Sequence, residues 1–423
     1  MSFDPWRWAA ERLRRFLLNQ PRLSHLLEGL PAEADRTARR RALRLLVGTV
    51  RHLGLIEHCL SELVPKRPRA GLRAGLLIAG YELMETPQRA APIVSHAVDR
   101  IGRAYSAPER RLANAVLRRL PERIAAARRL SESSGPDALA VRFSHPRWLV
   151  ERWLAAFGRE ATLEMLEADQ EEPVFFAWKE EGELPGELAS GLKESEEVPG
   201  FWRAEGESWP RALEAAEAGL LYIQNPSAAE AADWLGEAVG RGRVALLDLC
   251  AAPGGKALRL RRRLGGRVER LVAVDLPGPR LERMAANFER RARGFPVEIV
   301  AGDVRELDPG RLGQFDGVLL DAPCSNTGVL RRKPDVKWRL AETDLTKLAA
   351  LQGELLRAAA PLVRPGGHLL YSVCSVEPEE NAGVVEAFAR EGAGAFSLLE
   401  RRLQLPDLVG RDGAGLTLFR RIG

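Results

Sequence analysis

From about residue 226 onward the chain alternates short apolar runs with amphipathic stretches, and no other feature of the sequence restricts the fold as much. The runs are VALLDL (244–249), LVAVD (271–275), VEIVAGD (297–303), GVLLD (317–321) and HLLYSVCS (368–375). Near-continuous apolar strands separated by helices predict a parallel sheet covered on both faces. Ligands of such sheets bind beyond the carboxyl ends of the strands. Each run carries an Asp or a Cys within its last two residues, so the chemistry is expected at that edge.

The rest of the chain reads differently. Residues 6–130 are rich in Ala, Leu and Arg, with apolar residues at helical spacing, as in Leu43, Leu46, Val47 and Val50. This predicts a helical bundle, closed by the turn-forming linker SESSGP (131–136). Two short helices are expected over 144–170. Extended segments follow at VFFAWK (174–179), FWRAE (201–205) and LLYIQ (220–224), which predict a small mixed domain with an antiparallel sheet. The resulting division is a helical domain over 1–143, a small α+β subdomain over 144–225 and an α/β domain over 226–423.

Composition excludes several classes. Apolar runs fall far short of the ~18 residues of a membrane span, and the start MSFDPWRW lacks a signal-peptide pattern. Four cysteines in 423 residues make no disulfide framework, which points to free thiols in a reducing cytoplasm. The six histidines stand at no ligand spacing with cysteine, so no metal site is expected. The net charge of +5 conceals an asymmetry. Residues 1–145 carry 26 basic and 14 acidic side chains, residues 151–220 carry 6 and 18, and residues 221–423 carry 30 and 26. A basic first third points to a polyanionic partner such as nucleic acid, the plain alternative being solvated helix faces.

The first strand runs into DLCAAPGGK (248–256). Gly254 and Gly255 let the backbone approach a ligand, and the next helix offers its first amides. The run is neither the dinucleotide fingerprint nor a P-loop. Asp275 ends the second strand, where an acid accepts from ribose hydroxyls, and Asp303 ends the third, where one accepts from an adenine amino group. A single strand-end Asp is as often a helix cap, but three beside a Gly turn describe a pocket for an adenosine cofactor without phosphates. S-adenosyl-L-methionine is the expected cofactor. Its contacts are assigned to Cys250, Ala251, Ala252, Pro253, Gly254, Gly255, Lys256, Asp275, Asp303 and Asp321.

The fourth run leads into DAPCSNTG (321–328) and the fifth into YSVCS (371–375). Cys59 reads as a small apolar core residue, and Cys250 as part of the cofactor turn. Cys324 and Cys374 fall at the ends of strands expected to be neighbours, ~5 Å apart. Two thiols there can converge on one substrate ring.

Together, DLCAAPGGK, DAPCSNTG and YSVCS resemble the RNA (cytosine-5) methyltransferases of the Sun/Nol1/Nop2 type. RRKPDVKW (331–338) is similar to the bacterial RsmB (Sun/Fmu) subgroup, and VGTVRHLGLIE (47–57), YELMETP (81–87) and LANAVLRRL (112–120) resemble its NusB-like helical RNA-binding domain. The resemblance implies an all-α NusB-like bundle, a linking α+β subdomain and a Rossmann-like class I methyltransferase domain. It implies methylation of a cytosine in 16S ribosomal RNA, by a cytoplasmic enzyme expected to be a monomer. It also implies roles: Cys374 adds to C6 of the ring, Cys324 assists loss of the C5 proton, and Asp321 binds the N3/N4 edge. Arg331, Arg332, Lys333 and Lys337 are then candidate phosphate contacts. Transfer RNA or large-subunit RNA as substrate, and a non-catalytic RNA-binding assembly factor, are the alternatives. Three places depart from the family pattern: 177–179, Asn225 and 412–415.

Overall fold

The computed structural model describes the chain except residues 1–2, 32–33, 132, 181–184, 187–191, 205–208, 293, 296, 392–393 and 423. Glu132 of the expected linker and Glu205 of the expected strand over 201–205 therefore lie outside the described residues. Among the described residues no helix is long and apolar enough to cross a membrane. The chain forms two units, 1–171 with 330–340, and 172–329 with 341–423.

The first unit is helical. Its central helix, Ala70–Glu85, buries residues on every side, Leu72, Leu76, Ile78 and Leu83 among them. Only a helix surrounded by others tolerates that pattern. Pro5–Asn19, Arg36–Arg51, Leu53–Leu63 and Ala107–Arg128 instead bury one stripe each and share its core. Local signals fix their starts. Asp4 Oδ1 accepts from the amides of Trp6 and Arg7 at 3.0 and 3.2 Å, and Ser106 with Glu109 forms a capping box.

Two segments join this unit that were expected elsewhere. Residues 144–171, assigned above to the small subdomain, belong here. Ser144 Oγ accepts from the Gly54 amide at 2.8 Å, and Trp153 is fully buried. The helix Arg147–Ala168 is broken at Gly158, whose φ of 76° suits only glycine, so two short helices result. The second segment is 330–340, which carries the basic run. Trp338 Nε1 donates to Val50 O at 2.8 Å, and the Leu23 amide donates to Asp335 Oδ2 at 3.1 Å. Arg331 Nε donates to Ala168 O at 2.6 Å, and Arg51 donates to Arg331 O at 3.0 Å. Arg331 and Lys337 are only 4% and 1% exposed. As phosphate contacts they are corrected: both are buried inside the helical unit, whereas Arg332 and Lys333 are exposed.

The second unit holds two sheets. Strands β1 (Phe175–Lys179), β2 (Lys193–Glu194), β3 (Phe201–Ala204) and β4 (Leu221–Ile223) form an antiparallel sheet of order β2-β3-β1-β4. The larger sheet comprises β5 (Val244–Leu249), β6 (Val268–Asp275), β7 (Val297–Ala301), β8 (Phe315–Asp321), β9 (Val363–Val373), β10 (Phe396–Gln404) and β11 (Ala414–Arg421). Its order is β10-β11-β9-β8-β5-β6-β7. The first five strands pair in parallel, β11 adds antiparallel to β9, and β10 adds antiparallel to β11. Central β8 is buried along nearly its whole length. Edge strand β7 is not, with Ile299 36% exposed, so covering on both faces holds for the centre and fails at the edge.

Candidate active site

The β5 turn starts with Cys250 at φ 60° and ends with Gly254 at φ 95°. It is tied down by the Ala251 amide donating to Val274 O at 2.9 Å and the Gly254 amide to Ala251 O at 2.7 Å. The helix Gly255–Leu264 leaves from this turn, so its first amides open at the carboxyl edge of the sheet. Asp275, at the end of β6, accepts from the Ala252 amide through Oδ2 and the Leu276 amide through Oδ1, both at 2.8 Å. One lone pair on each oxygen remains for a ligand hydroxyl. Leu276, next in the chain, is 58% exposed, an apolar side chain that sequence reading missed. Asp303 caps the turn Val304–Glu306 by accepting from the Arg305 amide at 2.9 Å. The Arg305 guanidinium, 2.7 Å away, holds the Asp303 carboxyl below its usual range. The capping reading therefore describes Asp303 as it stands.

Strands β8 and β9 are neighbours with Asp321 opposite Ser372, which brings the two chemical motifs together. The Ala322 amide donates to Ser372 O at 2.9 Å and the Gly328 amide to Cys374 O at 3.2 Å. Gly328 itself lies against Gly413, where an added Cβ would come within 2.3 Å of Gly413 O. Across this junction Cys324 Sγ is 3.1 Å from Cys374 Sγ. Asn326, in the left-handed conformation at φ 64°, donates from Nδ2 to Cys324 O at 2.7 Å, and its Oδ1 accepts from Cys374 Sγ at 3.4 Å.

The charges are arranged unevenly. Lys256 Nζ lies 2.7 Å from Asp321 Oδ2. Burial works against the ammonium, but Asp321, Asp248 and Cys374 together hold its pKa above the usual lysine value. Lys256, assigned above to the pocket, therefore faces the reacting groups as well. Buried Asp248 has its carboxyl pushed up to about 8 by desolvation. The hydrogen bond to Cys374 and burial push the Cys324 thiol well above its ordinary value. Burial pushes the thiols of Cys59 and Cys250 up to about 12, which leaves both unreactive.

The three departures from the family pattern meet at one place. Trp178 Nε1 donates to Gln224 Oε1 at 2.8 Å, Asn225 Nδ2 donates to Gly410 O at 2.9 Å, and the Asp412 amide donates to Asn225 Oδ1 at 3.1 Å. The last of the three, 412–415, also reaches the Cys324 loop, where the Gly413 amide donates to Gly328 O at 2.7 Å.

A doubly wound sheet with a Gly-rich first turn, an acid ending the second strand and paired cysteines at its centre belongs to the Rossmann-like methyltransferases. PH0851 in its crystal structure has the same fold, with a TM-score of 0.76 at 23% identity over 100% of both chains. NSun6 from Pyrococcus horikoshii with SFG has a TM-score of 0.56 at 20% identity, over 66% of this chain and 98% of that one. Residues 241–405 match the family model 16S rRNA methyltransferase RsmB/F, and residues 9–122 match the NusB family. Ribosomal RNA small subunit methyltransferase B of Cronobacter sakazakii is 32% identical over 90% of this chain and 88% of its own length. The chain belongs to the RsmB/F family of 16S ribosomal RNA methyltransferases.

Proposed function

We propose that the chain methylates C5 of one cytosine in 16S ribosomal RNA, using S-adenosyl-L-methionine and a covalent bond between Cys374 and C6. The observation that carries this reading is the pair of thiols 3.1 Å apart at the ends of adjacent strands, beside the Asp321–Lys256 pair. The donor set fits the cofactor. The first amides of Gly255–Leu264, the remaining lone pairs of Asp275 and the exposed face of Leu276 suit its carboxylate, ribose and adenine parts. Bound there, the cofactor supplies an electrophilic methyl group.

Cytosine C5 is a poor nucleophile. Addition of Cys374 Sγ to C6 makes it an enamine carbon, able to take the methyl group. Cys324 keeps its proton, and the Lys256 ammonium acts on Cys374, so Cys374 is the thiol suited to ionise and add. Asp321 accepts from the N4 amino group, held in place by Lys256. After methyl transfer the C5 proton passes to a base, the part given to Cys324 once its own proton has gone to solvent; the C5–H electrons re-form the C5–C6 double bond as the Cys374–C6 bond breaks and Cys374 leaves as thiolate. The target base must be unstacked to be reached. Exposed cations of the helical unit, with Arg332 and Lys333, are suited to hold the flanking phosphates. The same reading makes the protein a cytoplasmic monomer, where thiols stay reduced.

Bisulfite sequencing of ribosomal RNA from a strain lacking the gene tests the substrate. Loss of one 5-methylcytosine in the small-subunit RNA is expected. An unchanged small-subunit map would move the activity to another RNA.

A further inference from the structure

The two cysteines lie on separate loops, one after β8 and one after β9, and neither loop can set the distance between them alone. We propose that Glu380 is the positioning residue that pins these loops together and so holds Cys324 and Cys374 on one side of the substrate ring. This rests on the covalent cytosine chemistry proposed above for its consequence, but on geometry alone for its placement.

Glu380 is 0% exposed and sits in a single wide helical turn, Glu379–Gly383. Its Oε1 accepts from the Ser325 amide at 2.9 Å and from Gln352 Nε2 at 2.8 Å. Its Oε2 accepts from the hydroxyls of Ser325 and Ser375. Ser325 follows Cys324, and Ser375 follows Cys374. One carboxylate thus holds the residue next to each thiol. Four donors on two oxygens is an arrangement only a carboxylate satisfies, since its oxygens accept and never donate.

The turn carrying Glu380 is itself held. Tyr371 OH donates to Glu380 O at 2.7 Å and lies 3.0 Å from Gln352 Oε1. Gln352 Nε2 also donates to Pro323 O at 2.9 Å, and Asn381 Nδ2 donates to Ser375 O at 3.0 Å. Thr327 Oγ1 lies 3.3 Å from both serine hydroxyls and accepts from the Val376 amide at 3.2 Å. The network has a chemical effect as well as a mechanical one. The negative charge of Glu380 is among the influences that raise the Cys324 thiol, so the carboxylate that sets the spacing also helps keep the proton on Cys324. Misplacing a reacting group by ~1 Å costs ~100-fold in rate, which is the scale at which this pin acts.

Three variants separate reach from charge. Glu380→Gln keeps the length but offers one acceptor oxygen. Glu380→Asp keeps the charge but is one methylene too short for both serines. Glu380→Ala removes both. Two readouts are used on the full-length protein. The first is the rate at which diamide joins Cys324 to Cys374, followed by peptide mass spectrometry. As each disulfide forms, the two thiols give two electrons and two protons to the azo group, which becomes a hydrazine. Wild type is expected to cross-link fastest, with Glu380→Ala and Glu380→Asp at least ~10-fold slower and Glu380→Gln between. The second is steady-state methylation, where kcat is expected to fall in the same order while KM for S-adenosyl-L-methionine stays within ~2-fold. If Glu380→Ala does not fold, the isosteric Glu380→Gln and the charged Glu380→Asp carry the test. Equal cross-linking rates in wild type and the variants, or no cross-link in wild type, would overturn the proposal. Slowed cross-linking with unchanged methylation would leave the pin standing and fault the two-cysteine chemistry instead.

Discussion

The pairing of Lys256 with Asp321 gives the first expectation at the scale of single residues. Lys256→Met leaves Asp321 without its cation and removes a positive charge from beside Cys374. Steady-state kinetics should show kcat lower by roughly 100-fold, the scale of losing one preorganised electrostatic contact. KM for the cofactor should change much less, and a loss confined to KM would return Lys256 to a pocket role. The candidate side chains were legible because their types and strand-end positions carry chemistry. What holds them was not. Asn326, Ser325 and Glu380 are ordinary polar residues in the sequence, and their roles exist only across 48 to 55 residues of chain separation. Lys256 was visible, but its direction depends on how the Gly turn launches its helix.

The segment 330–340 carries the argument at the scale of elements. Lys337 is buried beside Asp169, Arg51, His52 and His145, and also lies over the Trp338 ring. Burial lowers its pKa to about 7, against an ordinary 10.5. The unfolded chain therefore binds the extra proton between pH 10.5 and 7, and the lysine's contribution to stability is lost as pH falls through that window. Lys337→Met should raise the melting temperature at pH 6 to 7 and lose this benefit near pH 10.5. The same variant should leave RNA affinity unchanged in a filter-binding titration. Arg332→Ala with Lys333→Ala should weaken it, and a reversed outcome would restore Lys337 as an RNA contact. The run RRKPDVKW reads as basic, yet Pro334, Val336 and Trp338 alternate through it. That alternation is the sign of a docked segment, overlooked beside the charges.

For the whole molecule, the alternation of apolar runs was enough to place the five parallel strands. It could not place β10 and β11. Strand β10 is exposed along most of its length, with Leu398, Leu399 and Leu403 at 44–49%, so no burial periodicity marks it. Domain boundaries were equally hidden, because residues 330–340 leave the α/β unit for the helical one. This changes how the basic third is tested. Deleting the N-terminal helices would strip the partners of 330–340, so exposed arginines are the better target. Arg36, Arg39 and Arg40 are exposed at the start of Arg36–Arg51. Replacing all three by Ala should reduce the slope of log affinity against log salt by about one per lost phosphate contact. An unchanged slope would place the RNA grip on another face.

The central claim is that two adjacent thiols divide one reaction, Cys374 forming the bond to the base and Cys324 allowing its release. Denaturing gel electrophoresis of the protein after reaction with its RNA and S-adenosyl-L-methionine reads this directly. Cys324→Ala should accumulate a covalent protein–RNA adduct, and Cys374→Ala should form none and methylate nothing. An adduct in Cys374→Ala, or equal turnover in both variants, would contradict the account.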